Sequence, residues 1–191
     1  MLAKQDKEYY TYADYITWPD EPRCELIDGK IYLMASPSTT HQRISRRLLA
    51  RFEMHLAGKT CEVFDAPYDV RLNWQKGDDA VVQPDLLVIC DPDKIDNKGC
   101  KGAPDLIIEI LSPSTASYDM MTKFTKYCDA GVKEIWFVSP DEQETKVFRQ
   151  RDGEYFSRMY GSTDKITVGI LPDLTIDMKD IFDSESGETG Q

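Results

Sequence analysis

The chain of 191 residues suits one domain built round a sizeable core. Acidic side chains outnumber basic ones by 34 to 23, for a net charge of −11, which excludes a protein that coats nucleic acid through its overall field. No apolar run approaches the length needed to cross a bilayer, and the polar start Met1-Leu2-Ala3-Lys4-Gln5-Asp6-Lys7 lacks signal-peptide character.

In chain order, Thr11-Tyr12-Ala13-Asp14 predicts a helix start with Thr11 as N-cap and an acid three residues on, and Pro19 and Pro22 end that helix. The segment 24–34 predicts a hairpin, because Asp28-Gly29 between two apolar arms is a strong turn signal. After a loop at 36–40, a helix is expected from about 41 to 56. Ile44, Leu48, Phe52 and Leu56 recur every fourth residue as its core stripe, and Arg43, Arg47 and Arg51 run beside them. Strands are expected near 60–65, 68–72 and 81–90, followed by a polar loop at 91–102. A strand at 105–111 comes next, then the loop 112–115 and a helix near 118–130, with Gly131 at its left-handed C-cap position. A strand at 133–139 leads into a β-meander at 144–150, 154–160 and 165–168, whose first turn is Arg151-Asp152-Gly153. Residues 1–183 form the expected single domain. The small, polar, acidic end at 184–191 is expected to fray. The order is mixed α/β, with a buried central sheet and helices packed on it.

Charge is distributed unevenly. Residues 172–191 contribute −5, whereas 41–51 hold four arginines and no acid, so a local cationic face on an acidic protein is expected. The five cysteines (Cys24, Cys61, Cys90, Cys100, Cys128) are odd in number, widely spread and without a CxxC pair, which argues against zinc ribbons and thioredoxin-like chemistry. Free thiols in a reducing cytoplasm are the simplest expectation.

The most telling residue is Glu109, inside the apolar run Asp105-Leu106-Ile107-Ile108-Glu109-Ile110-Leu111. A carboxylate desolvated there is costly unless it is paired, protonated or on a metal. A solvent-facing position is disfavoured because Ile107 and Leu111 share its face. A second run, Pro84-Asp85-Leu86-Leu87-Val88-Ile89-Cys90, carries Asp85 at its mouth. Taken alone, Asp85 reads as a backbone acceptor at a strand entrance. Two core strands with one acid each point instead to acids held together, with a divalent cation as the leading neutraliser. Lys123 shares a helical face with Asp119 and Tyr127, and reads either as an ordinary surface ion pair or as a cation supporting phosphate chemistry. Glu25 is a cross-strand ion-pair partner or a site acid, and His41 a capping residue or a base.

Taken together, Glu25-Leu26-Ile27-Asp28-Gly29, His41-Gln42-Arg43-Ile44, Gln83-Pro84-Asp85-Leu86, the segment from Gly102 to Thr115, Asp119, Lys123 and Tyr127, and Gly131-Val132-Lys133-Glu134-Ile135-Trp136-Phe137-Val138 resemble the Uma2 family of endonucleases. That family is similar to the PD-(D/E)XK restriction-endonuclease-like superfamily. The resemblance spans roughly residues 10–160 and implies a mixed four- or five-stranded sheet flanked by helices. It also implies metal-dependent hydrolysis of nucleic acid, DNA favoured, with Mg²⁺ or Mn²⁺ held by Asp85, Glu109 and Glu25. Leu111 stands where the superfamily motif has lysine, and Lys123 is the implied substitute. His41, Gln83, Asp119 and Tyr127 are the implied auxiliaries, and Arg43, Arg47 and Arg51 are expected to contact backbone phosphates. A homodimer is expected by analogy. Two alternatives stand beside this reading. One is a binding module that kept the scaffold and lost turnover, and the other is a hydrolase of a small phosphoester.

Overall fold

The computed structural model describes residues 7–112 and 116–183, with residues 116–119 described by their backbone alone. Residues 1–6 of the polar start, residues 113–115 of the expected loop and the acidic end at 184–191 lie outside the described residues. The chain opens with helix α1 (Tyr12–Tyr15) and the hairpin β1 (Cys24–Ile27) and β2 (Lys30–Leu33), followed by α2 (Thr39–Leu56). Short strands β3 (Glu62–Asp65), β4 (Val70–Arg71), β5 (Val81–Val82), β6 (Leu86–Ile89), β7 (Ile95–Asp96) and β8 (Gly99–Lys101) precede β9 (Leu106–Ile110). Helix α3 (Ala116–Ala130) leads to β10 (Glu134–Ser139), β11 (Glu144–Arg151), β12 (Glu154–Gly161), β13 (Lys165–Thr167), β14 (Thr175–Asp177) and α4 (Met178–Phe182).

The predicted hairpin forms as its turn residues dictate. Asp28 and Gly29 both take positive φ, 51° and 70°, and Ile27 pairs with Lys30 across them. The ring of Tyr9 lies where a Cβ on Gly29 would fall, 2.3 Å from the nearest ring carbon, so only glycine fits this turn. Helix α2 begins two residues after Pro37 because Ser38 Oγ accepts from His41 N at 3.1 Å.

The central sheet has the order β12-β11-β10-β9-β6-β3. Strands β9 and β10 run parallel, with α3 as their crossover, and the remaining pairs are antiparallel. The meander β10-β11-β12 therefore extends this sheet to six strands, beyond the four or five expected. A second sheet, β2-β1-β5-β4-β8-β7, lies on one side, and β13 pairs with β14. Strand alternation sorts the core into two faces. Leu106, Ile108 and Trp136 pack with Ile44, Leu48 and Phe52 of α2. Ile107, Ile135 and Phe137 pack instead with Tyr127 of α3, Ile27 of β1 and Val70 of β4. Glu109 shares the parity of Ile107, which places it on the α3 side.

Three expectations are corrected. The segment 91–102 is not all loop: Ile95–Asp96 and Gly99–Lys101 form a small hairpin, and β8 pairs with β4. Gly99 makes this pairing feasible, since a Cβ there would lie 2.1 Å from the carbonyl oxygen of Asp69. Beyond residue 168 the chain adds β14 and α4, with Asp177 capping α4 through Lys179 N at 3.1 Å. Last, the cysteines are not all free. Cys61 and Cys90 are disulfide-bonded, while Cys24, Cys100 and Cys128 are free. The pairing Glu62↔Ile89 places Cys61 opposite Cys90 at the next step, a proximity that topology creates across 29 residues of sequence. Among the described residues no helix is long and apolar enough to cross a membrane.

Candidate active site

The antiparallel pairing of β6 with β9 joins the two acids. Leu86 pairs with Ile108, so one step further Asp85 stands beside Glu109. Both share the parity of Leu87 and Ile107, and hence one face of the sheet. Asp85 is fixed by the backbone and by α2. Its Oδ2 accepts from Ile110 N at 2.7 Å and lies 3.1 Å from His41 Nε2. The α3 crossover then lays Lys123 and Tyr127, one turn apart, over Glu109. Lys123 Nζ donates to Glu109 Oε1 at 3.1 Å and to Glu25 Oε1 at 2.9 Å, and Tyr127 Oη donates to Glu109 Oε1. The backbone N–H of Gln83 completes the set by donating to Glu25 Oε1 at 2.9 Å. Only 4% of Glu25 and 8% of Glu109 is exposed, so these are desolvated charges.

The electrostatics follow from a shortage of positive charge. Three carboxyl groups, Glu25, Asp85 and Glu109, share one ammonium and one imidazole. Burial, with Asp85 and Glu25 nearby, pushes the Glu109 carboxyl up to about 7, against the opposing pull of Lys123 and of the Tyr127 hydroxyl. Burial opposes the charge on Lys123, but Glu109 and Glu25 outweigh it and hold the ammonium protonated. Burial also lowers the His41 imidazole, yet its bond to Asp85 and the charges of Asp85 and Glu109 raise it overall. His41 Nδ1 is buried without a hydrogen-bond partner among the described residues. Burial and Glu109 push the Tyr127 hydroxyl well above its ordinary range, which keeps it a donor.

Glu134 shows what a purely structural buried acid looks like in the same sheet. It accepts from Trp136 Nε1 at 2.9 Å, Arg149 Nε at 3.0 Å and Ile170 N at 3.0 Å, a full set of donors including one cation of its own. The Asp85–Glu109 pair has no such closure. It opens instead on a cleft of about 590 Å³ that His41, Gln83 and Lys123 also line.

Asp85, Glu109, Lys123, Glu25, His41, Gln83 and Tyr127 therefore converge. The side chain of Asp119 lies outside the described residues. The arginine stripe does not join the cluster. Arg47 Nη1 donates to Ile181 O at 2.9 Å and Arg51 pairs with Asp180 at 2.7 Å, so both hold α4 against α2. Arg43 is exposed and remains the one arginine of the stripe without such a tether among the described residues. Arg23, which lines the cleft, escaped the sequence reading. The signal for it was its place two residues before Glu25, on the same face if the strand is extended back.

The donor set bears on a metal ion in two ways. Among the described residues no group of three or more His, Cys, Asp or Glu side chains forms a ready cage. Lys123 lies between Glu25 and Glu109, so Glu25 is occupied with holding the lysine. Mg²⁺, however, is commonly held by one or two carboxylates with water completing its shell. Asp85 and Glu109, in negative surplus at the cleft wall, fit that requirement.

The fold and the site place the protein among α/β proteins with a restriction-endonuclease-like core. The profile of the Uma2 family, described as "Putative restriction endonuclease", matches residues 12–179. The chain belongs to that family. It is 31% identical over 158 residues to the uncharacterized protein slr1290 of Synechocystis sp., covering 80% of this chain and 81% of that protein. A second Synechocystis protein, the uncharacterized sll1609, is 28% identical over 131 residues, 66% of this chain and 72% of its own. A crystal structure from Anabaena variabilis, described as that of a "putative nuclease", superposes with a TM-score of 0.74 at 22% identity, covering 90% of this chain and 97% of that one. That likeness establishes the fold.

Removing the Tyr127 hydroxyl isolates one of the contacts. Tyr127→Phe leaves Glu109 with one donor fewer in a buried setting, and is expected to lower stability by about 1–3 kcal/mol at pH 8. Urea denaturation of the metal-free protein checks it.

Proposed function

We propose that the chain is an endonuclease that hydrolyses phosphodiester bonds of DNA with Mg²⁺ or Mn²⁺, held by Asp85 and Glu109. The observation that carries this reading is the placement of these two carboxylates on neighbouring strands, on one face, beside the Lys123 ammonium. A divalent ion, when bound, supplies positive charge to the scissile phosphate and acidifies a water at neutral pH. The chain's own groups do the rest. Lys123 Nζ keeps a positive charge beside Glu109, where it orients a water and offsets charge growing on the phosphate. Glu25, anchored by the Gln83 N–H, holds that lysine in place. Tyr127 fixes the Glu109 carboxyl, and His41 fixes that of Asp85 while carrying a proton at the cleft wall. A homodimer as the acting species belongs to the same reading, and sedimentation with bound DNA tests it.

A second reading is a binding module without turnover. It is favoured by the ammonium that already lies between Glu25 and Glu109 and by the absence of a three-acid cage among the described residues. Thermal melting with Mg²⁺, Mn²⁺ and Ca²⁺ separates the two, because an ion that binds only the folded state raises the melting temperature. Glu109 titrates near 7, so protons compete with the ion below that pH. The melting shift at fixed Mg²⁺ is therefore expected to grow between about pH 6 and pH 8. A shift absent at every pH with all three ions supports the module. Cleavage assays on DNA, RNA and small phosphoesters in parallel identify the substrate class.

A further inference from the structure

The cleft is poor in spare positive charge. Glu25, Asp65, Asp85, Glu109 and Asp141 line it, against Arg23, His41 and Lys123. A polyanion entering such a cleft needs a cation that is not already neutralised. Lys123 is committed to Glu25 and Glu109, and His41 to Asp85. Arg23 is held differently. Its Nε and Nη2 donate at 3.0 and 2.7 Å to one atom, the side-chain carbonyl Oε1 of Gln83, and among the described residues it has no ion-pair partner.

Gln83 is itself fixed from three sides. Its Nε2 donates to Asp69 Oδ1 at 2.8 Å and to Tyr15 Oη at 3.1 Å, and its backbone N–H reaches Glu25 Oε1 at 2.9 Å. The guanidinium is thus oriented by a neutral group tied to the acid cluster. A guanidinium has five N–H donors in a planar fork suited to two phosphate oxygens, and Gln83 takes two of them. A neutral carbonyl restrains the fork without cancelling its charge. A carboxylate in the same place would have to be displaced by each incoming phosphate.

We propose that Arg23 is a phosphate anchor of this cleft. It binds a backbone phosphate of the nucleic-acid strand next to the one cleaved, and Gln83 is its positioning residue. The proposal rests on the endonuclease reading and names the residue that holds the strand in register with Asp85 and Glu109. Its competitor is a buttress role, in which Arg23 only braces Gln83.

Initial rates on duplex DNA in Mg²⁺, with Arg23→Gln and Arg23→Lys beside the parent, decide between them. Arg23→Gln is expected to raise KM about tenfold, in line with a lost charge-assisted contact. The slope of log KM against log salt is expected to fall by about one, the change for one phosphate contact. Arg23→Lys keeps the charge but loses the fork, and is expected to fall between the two with the parental slope. Both variants should keep the parental Mg²⁺ melting shift, which reports an intact acid cluster. A parental KM and slope in Arg23→Gln overturns the anchor while leaving the endonuclease reading in place. Loss of the Mg²⁺ shift in both variants overturns it in favour of the buttress. A parent protein that cuts no nucleic acid removes the endonuclease reading, and the anchor with it.

Discussion

Replacing Asp85 by Asn is expected to lower DNA hydrolysis by about 10³-fold and to erase the Mg²⁺-dependent melting shift, with the fold retained. The amide is close in shape to the carboxylate. Its amide oxygen, placed where Oδ2 lies, can still accept from both Ile110 N and His41 Nε2–H, so the two contacts that fix this side chain survive. What disappears is one negative charge at the mouth of β6. With Glu25 engaged with Lys123, Glu109 is left as the single carboxylate free to face the ion, and the site attracts it far less strongly. Circular dichroism and urea denaturation confirm the fold, while calorimetry and plasmid nicking report the ion and the turnover. A variant that binds Mg²⁺ like the parent would place the ion elsewhere.

Lys123→Met is expected to cost about 3–5 kcal/mol of metal-free stability at pH 8, because it leaves two buried carboxylates without their shared cation. The cost depends on pH with a definite sign. Removing the ammonium raises the Glu109 carboxyl further above its unfolded value. The folded state then binds more protons than the unfolded state over that window, so stability is present at low pH and is lost as pH rises through the folded value. Denaturation should therefore show a smaller deficit near about pH 5 than near pH 8. Adding Glu109→Gln should recover much of the loss, since the two residues are in contact and their effects do not add. Mg²⁺ should also restore part of the stability, yet turnover stays lost because the water loses its orienting charge. A deficit that does not change with pH would separate Lys123 from the titration of Glu109.

Much of this site was legible as a conflict between burial and charge. Glu109 in an apolar run and Asp85 at the head of another could not both be desolvated at a distance, and the β6–β9 pairing places them side by side. The four-residue spacing of Lys123 and Tyr127 identified a shared face, although only the crossover of α3 reveals that this face covers Glu109. The α2 stripe and the Asp28-Gly29 hairpin were readable because their signals are local. Strands β7 and β8 were not, since arms of two and three residues show no period. The arginine stripe misled for a related reason: the partners of Arg47 and Arg51 lie in α4, some 130 positions away and without a clear pattern of its own. Arg23 and the Cys61–Cys90 bridge depend on the folded neighbourhood rather than on spacing.

The division of labour between strands and crossover carries a consequence for variation. Both acids stand at one level of the β6–β9 ladder, on neighbouring strands, so their separation is set by backbone pairing. The ammonium arrives on a separate element, the helix α3, which packs on that face and is not paired into the sheet. A shift or rotation of α3 would retune or disconnect the cation while leaving the acids untouched, which makes the seating of α3 on the sheet a natural dial for grading, or silencing, the chemistry.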